Sequence, residues 1–284
     1  MNVLLIGGTG MLGRAFREEL TRRQITFTAP GRDRIDLSSS QVATSTAALL
    51  QETRSDILIN CAAWTDVDGA ETQEPAATRI NGDAVRDLAH ACAAHRALFV
   101  NFGTDYVFSG IATKPYTTTQ PREPLNAYGR SKAAGEAALE TLDANHWLHI
   151  RTSWLYAPWG KNFVRTMRTL LLTKPSLKVV NDQRGRPTSS EHLATTTVAL
   201  ITNKSRGIQH ATDAGECTWF EFAQEIGRLA NAKGTVEPCT TADFPRPAKR
   251  PAYSVLDLSH TEKLVGPMTS WRDALANVMG RIEA

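Results

Sequence analysis

Three side chains at defined spacing can move a proton to or from a carbonyl oxygen. Tyr128 precedes Lys132 by four residues in Asn126-Ala127-Tyr128-Gly129-Arg130-Ser131-Lys132, so on a helix the two share a face. A phenol titrates near ~10 and is a poor acid at neutral pH; an adjacent ammonium favours the phenolate, each pKa unit being worth about 1.4 kcal/mol. Taken alone, this spacing is common on surface helices. Thr104, in Gly103-Thr104-Asp105-Tyr106-Val107-Phe108, offers the third group. Its hydroxyl can bond a substrate oxygen or the phenol, or simply cap a turn.

A second constellation suits a phosphate. Gly7-Gly8-Thr9-Gly10-Met11-Leu12-Gly13 follows an apolar run and opens a segment of helical period. Gly7 permits a tight turn, Gly10 lets backbone approach a pyrophosphate, and Gly13 lets helix and strand pack closely. The helix N-terminus then presents free N–H groups to the anion. The spacing departs from Gly-x-Gly-x-x-Gly, so a plain structural turn is the competing reading, and the strand-first context is what argues for a dinucleotide. After the second strand the chain reads Ala29-Pro30-Gly31-Arg32-Asp33. Arg32 can fork onto a 2′-phosphate, which favours NADPH over NADH. NADH stays open, because Asp33 can reach a ribose and Arg32 can equally be a solvated loop charge.

These groups need a frame. Val3–Ile6, Ile25–Ala29, Asp56–Cys61, Ala97–Phe102 and His146–Ile150 read as strands; Met11–Arg23, Val42–Leu50, Ala76–His95, Asn126–Leu142 and Asn162–Leu172 read as helices. Strands apolar on both faces and separated by helices predict an α/β fold, a doubly wound parallel sheet of Rossmann type. Thr104 then falls beyond a strand's carboxyl end, where such sheets bind ligands. Past residue 155 the texture changes, with Pro238, Pro245, Pro247 and Pro251 breaking regular elements and helices near Glu191–Ile201, Trp219–Ala230 and Trp271–Ile282. We therefore expect a dinucleotide-binding domain over 1–155 and, over 156–284, mainly a smaller mixed α/β lobe that binds substrate, with some elements free to return to the large sheet.

Composition excludes several other classes. The 284 residues include 32 Lys+Arg and 29 Asp+Glu, with 42% hydrophobic and 21% charged residues, the balance of a globular chain with its own core. Cys61, Cys92, Cys217 and Cys239 are scattered without a Cys-x-x-Cys pair, which fits a reducing compartment and predicts no metal site. No basic run interleaved with aromatics suggests nucleic acid. The first apolar run stops at Gly7, too short for a signal peptide or membrane span. A cytoplasmic location without membrane attachment is expected.

Several further segments resemble the extended short-chain dehydrogenase/reductase superfamily and, within it, the dTDP-4-dehydrorhamnose reductase family. They are Ile59-Asn60-Cys61-Ala62-Ala63-Trp64-Thr65-Asp66-Val67-Asp68 with Glu71, Thr104–Phe108, Arg151-Thr152-Ser153-Trp154, Gly160-Lys161-Asn162-Phe163, Asn181–Thr188, and Arg250-Pro251 with Ser254 and Asp257. The glycine turn and the Tyr/Lys pair are common to the superfamily; the Asp-Val-Asp, Asn-Asp-Gln and Arg-Pro segments are narrower. The resemblance implies that Gly10, Met11 and Leu12 line a pyrophosphate, that Asp36 and Leu37 border an adenine, and that Ala62, Ala63 and Trp64 lead toward a nicotinamide. Tyr128 and Lys132 would complete its ribose site. Thr104, Asp105 and Trp154 would touch the sugar nucleotide, with Asn162, Gln183, Pro187 and Arg250 as further contacts from the lobe.

The resemblance further implies the chemistry. Hydride passes from NADPH to the C4 ketone of a 4-keto-6-deoxyhexose on dTDP, Tyr128 protonates the oxyanion, Thr104 stabilises it, and Lys132 holds the ribose and lowers the phenol pKa. Arg250, Arg186 or Lys161 would meet the diphosphate. Two rival readings share the pattern: a sugar-nucleotide epimerase or 4,6-dehydratase, and a non-catalytic NADP-binding regulatory subunit of a methionine adenosyltransferase. Tyr106 after Asp105, where a dehydratase would carry Glu, argues against the first, and the complete Thr104, Tyr128 and Lys132 set argues against the second. The sequence leaves open the exact sugar, dependence on Mg2+, and a homodimer.

Overall fold

Short apolar runs ending in glycine or a polar residue form the central sheet. The computed structural model describes residues 1–282. Strands β1 (Asn2–Ile6), β2 (Thr26–Thr28), β3 (Ile57–Asn60), β4 (Leu98–Thr104) and β5 (Trp147–Thr152) are joined at the edge by the strand Gly207–His210. Their spatial order is Gly207–His210, β5, β4, β3, β1, β2, and every pair is parallel. Parallel pairing requires crossover helices on both faces. Helix α1 (Met11–Arg22) and the Ser190–Thr202 helix share one face, through a core that includes Leu5, Phe16, Val100, Ile150 and Leu193. On the other face, the Val42–Thr53, Ala84–Ala94 and Ala127–Glu140 helices pack with Leu4, Leu58, Phe99 and Trp147.

The chain moves outward from β1 to β2 and then crosses back to place β3 on the other side of β1. The winding reverses between β1 and β3, and open α/β sheets bind ligands outside the carboxyl ends of the strands at such a point. The glycine turn stands there. The long helix read over 76–95 is in fact Glu74–Thr78, a π-helical turn Arg79–Asp83, and Ala84–Ala94. The extra residue in that turn accommodates a tight approach: a Cβ on Gly135 would overlap the Asn81 carbonyl oxygen.

The second half contributes to both parts of the molecule. Gly207–His210 extends the large sheet, and the Ser190–Thr202 helix lies against α1, because its Leu193, Ala194, Val198 and Ile201 belong to the large core. A separate core forms around Tyr156, Phe222, Trp271 and Leu275, between the Phe163–Thr173, Trp219–Leu229 and Trp271–Met279 helices. Beside it, Ser176–Val180 pairs in parallel with Thr235–Cys239, a two-stranded sheet that the prolines hid from the sequence reading. Pro238 is tolerated there because both strands of a two-stranded sheet are edges, where a missing N–H can face outward. None of the described helices is long and apolar enough to cross a membrane.

Candidate active site

The glycines are sterically required. Gly7 has φ of 74°, and its carbonyl accepts a 3.0 Å hydrogen bond from Gly10 N–H. A Cβ on Gly7 would sit 2.7 Å from the Ala62 nitrogen, and one on Gly13 would overlap the Gly7 carbonyl oxygen. Gly10 caps α1 without a side-chain hydrogen bond, so the amides of the first turn, Met11 and Leu12 included, keep their donors free. Trp159 steadies that turn, its Nε1–H donating to Met11 O at 3.0 Å while the Arg14 guanidinium stacks on the ring 4.3 Å away. A tightly packed glycine turn leading into an uncapped helix N-terminus fits the pyrophosphate of a dinucleotide.

Arg32 is exposed beyond β2, 3.4 Å from Asp36, where screening leaves it free to exchange partners. Asp36 is held below its usual range by hydrogen bonds from Ser38, and neighbouring Leu37 is buried. Ala62 N–H donates to Asn60 Oδ1 at 3.1 Å. Asn81, in the π turn, brackets Trp64 by accepting from its N–H at 2.9 Å and donating to its carbonyl at 3.1 Å. The Trp64 indole donates to Asp66 O and packs with Tyr128 against Ala70, Ala77 and Ala127.

Tyr128 and Lys132 occupy the first turns of the Ala127–Glu140 helix. Asn126 caps that helix by accepting from Gly129 N–H at 2.8 Å, and Glu71 accepts from Ala127 N–H at 2.8 Å. Only glycine fits at 129, because a Cβ would overlap Tyr106 O, and this brings the helix against the turn that carries Thr104. The Tyr128 ring meets Tyr106 edge-on at 5.9 Å. Thr104 Oγ1 donates to Asp105 Oδ1 at 3.1 Å and accepts from Tyr106 N–H at 3.2 Å. Lys132 Nζ donates to Phe102 O at 3.1 Å.

One expectation is corrected here. The Tyr128 phenol is pushed up, not down: burial dominates, and the Thr104 side chain, not Lys132, acts in the opposite sense. Burial also pushes the Lys132 amine down to about 8 and the Asp105 carboxyl up to about 7. Asp105 Oδ2 is buried without a hydrogen-bond partner among the described residues.

The lobe residues divide. Trp154 adopts φ of 47° and stacks on Trp219 at 3.6 Å, over Gly185, where a Cβ would stand 2.7 Å from the ring. Such a left-handed tryptophan is strained backbone held by its surroundings. Arg250 closes back onto the dinucleotide side, its guanidinium 3.0 Å from Asp68 Oδ1. Gln183 donates to Thr241 Oγ1 at 2.9 Å, and Pro187 is buried. Asn162 is already engaged: it caps the Phe163–Thr173 helix and donates to Ala157 O at 2.9 Å and Trp159 O at 3.1 Å.

Residues 1–283 match the family profile described as RmlD substrate binding domain. The chain belongs to the RmlD family. It is 42% identical to a probable dTDP-4,6-dihydroxy-2-methyloxan-3-one 4-ketoreductase of Streptomyces antibioticus, over 97% of this chain and 93% of that one. It is 40% identical to a dTDP-4-dehydrorhamnose reductase of Streptomyces griseus, covering 96% and 91%. Among solved structures, the dTDP-4-dehydrorhamnose reductase of Bacillus anthracis in complex with NADP superposes with a TM-score of 0.92 at 35% identity, covering 98% of each chain.

Around the site of this RmlD-family chain stand residues that the sequence reading passed over. Asn81 and Trp159 are two; Trp219, under Trp154, is another. A fourth group is Glu136, fully buried with His149 and Arg151 behind Lys132. The one available signal was the Lys132-to-Glu136 spacing, which places a carboxylate one turn beyond the lysine.

Proposed function

We propose that the chain is an NADPH-dependent reductase of the C4 ketone of dTDP-4-dehydro-L-rhamnose, giving dTDP-L-rhamnose. The observation that carries this reading is one juxtaposition: Tyr128, Lys132 and Thr104 meet at the carboxyl end of β4, two strands from the glycine cradle. The relatives named as reductases of dTDP-linked ketosugars support it. A bound NADPH supplies the hydride that reaches the ketone carbon.

The chain's own groups then do the rest. The free amides of the first turn, Met11 and Leu12 among them, receive the pyrophosphate beside Gly10, and Gly7 and Gly13 let the turn pack tightly enough to present them. Arg32 meets the 2′-phosphate, with Asp36 and Leu37 bordering the adenine and Ala62, Ala63 and Trp64 the nicotinamide end. Lys132 holds the nicotinamide ribose. Tyr128, kept protonated at neutral pH by burial, gives its phenolic proton to the oxyanion at C4. Thr104 hydrogen-bonds the same oxygen, while Asp105 and Trp154 orient the sugar ring. Gln183, Pro187 and Arg250 border the nucleotide portion, so residues 1–155 serve the dinucleotide and 156–284 mainly the substrate. The reaction takes place in the cytoplasm.

The deciding experiment mixes purified protein, NADPH and dTDP-4-keto-6-deoxy-L-mannose and follows nicotinamide absorbance. One NADPH consumed per dTDP-L-rhamnose formed is expected. Turnover of the sugar without net NADPH loss would instead indicate an epimerase. NADP binding with no turnover of this ketone or of its 4-keto-6-deoxy relatives would indicate a binding subunit.

A further inference from the structure

One row of the sheet is polar where packing alone would favour hydrocarbon. The register sets Leu58, Phe99 and Trp147 side by side across β3, β4 and β5, and two residues further along each strand it sets Asn60, Asn101 and His149. All three polar side chains are at most 3% exposed. Ala62 N–H donates to Asn60 Oδ1, Asn60 Nδ2 donates to Asn101 Oδ1 at 2.9 Å, and Asn101 Nδ2 faces His149 Nδ1 at 3.3 Å. An amide nitrogen can only donate, so His149 Nδ1 accepts and its proton sits on Nε2, which faces Glu136 Oε1 at 3.1 Å. Every bond in the ladder points the same way. It runs from the turn beside the glycine cradle to one carboxylate.

That carboxylate is doubly secured. Arg151 Nη2 lies 2.7 Å from Glu136 Oε2, and Arg151 Nε lies 3.1 Å from both oxygens. A buried ion pair of this kind is weak evidence of stabilisation, since well-packed apolar residues often do as well. Its place in the fold is more informative: Glu136 follows Lys132 by four residues on one helix, and both are buried.

We propose that Glu136 is a positioning residue for Lys132, keeping the buried ammonium charged and seated on the Phe102 carbonyl while the ladder ties it to the Ala62 turn. The proposal rests on the role given to Lys132 under the functional reading above. Burial draws the Lys132 amine down, and the Glu136 charge opposes that. Tyr128 and Glu136 flank Lys132 on the same helix, Glu136 acts on its charge, Lys132 in turn acts on His149 of β5, and Arg151 of β5 is held by Glu136. Arg122 also approaches Glu136, at 3.5 Å, but is held more closely by Glu140 at 2.6 Å. His149 is kept neutral first of all by burial, so its ring relays a hydrogen bond and adds no charge.

The test measures NADPH affinity by fluorescence titration from about pH 6 to pH 9, beside thermal melts, for wild type and three variants. Glu136→Gln removes the charge, Glu136→Asp keeps it, and Glu136→Gln with Arg151→Met removes it without stranding a buried guanidinium. Wild-type binding should weaken on the alkaline side as Lys132 loses its proton. In the Gln variant and the double variant that limb should move down by about one pH unit or more, with binding about tenfold weaker at pH 8 and recovered at pH 6. Glu136→Asp should restore the wild-type limb. A purely structural Glu136 would lower the melting temperature and weaken binding by one factor at every pH. An unmoved limb in the folded double variant overturns this proposal alone; a wild-type protein that binds no NADPH overturns the functional reading as well.

Discussion

The Thr104 hydroxyl gives its only proton to Asp105, over 3.1 Å, while its oxygen accepts from Tyr106 N–H. A threonine so engaged cannot donate to a ketone oxygen until that proton is released. A neutral Asp105 would hold that proton more weakly than a carboxylate does, and burial brings the Asp105 carboxyl up to about 7.

A stability consequence follows from the sign of that shift. A carboxyl whose folded pKa is raised favours folding below its unfolded value, here 3.8, and loses that contribution as pH rises through about 7. Asp105→Asn removes the titration. The unfolding free energy of the variant relative to wild type, read from denaturant melts, should climb between about pH 4 and pH 7 and then level off, by an amount on the order of a few kcal/mol at most. Melts with a pH-independent offset would show that Asp105 titrates normally.

Arg250 reaches across from the lobe to Asp68, and only about a sixth of its side chain, 16%, is exposed. If it also meets the substrate diphosphate, Arg250→Ala should raise KM about tenfold or more, some 1.4 kcal/mol, with a smaller change in kcat. Asp68→Asn, which frees the guanidinium, should move KM less. Equal losses of melting temperature in both variants at unchanged KM would confine Arg250 to bridging the two halves.

Asn162 should behave oppositely. Its amide is consumed by the helix cap and by the Ala157 and Trp159 carbonyls. Asn162→Ala should cost about 1 kcal/mol of stability, the usual value of a lost cap, with KM for the sugar nucleotide unchanged. A raised KM in a variant of wild-type stability would return Asn162 to the substrate site.

Local pattern made much of this readable. The glycine spacing, the run of short apolar strands and the Tyr/Lys interval are short-range features, and each maps onto β1, α1 or the Ala127–Glu140 helix within a residue or two. Gly207–His210 was harder, because Gly-Ile-Gln-His is too short and too polar to read as a strand until β5 stands beside it. The Asn60–Asn101–His149–Glu136 ladder lies deeper still. It depends on strand register, which brings residues 41 and 48 positions apart into contact and leaves no mark in the linear sequence. The phenol differs from expectation for a related reason: spacing places Lys132 one turn from Tyr128, but the tertiary fold buries the ring, and burial raises it.

The central claim is that the Tyr128 phenol protonates the reduced ketone, and replacing that residue with phenylalanine tests it most directly. Single-turnover reduction of dTDP-4-keto-6-deoxy-L-mannose by Tyr128→Phe should be slower by about 10²–10⁴-fold, the range for a lost general acid, with NADPH affinity within a few-fold of wild type. Reduction at the wild-type rate would contradict the account, because another group would then have to supply the proton.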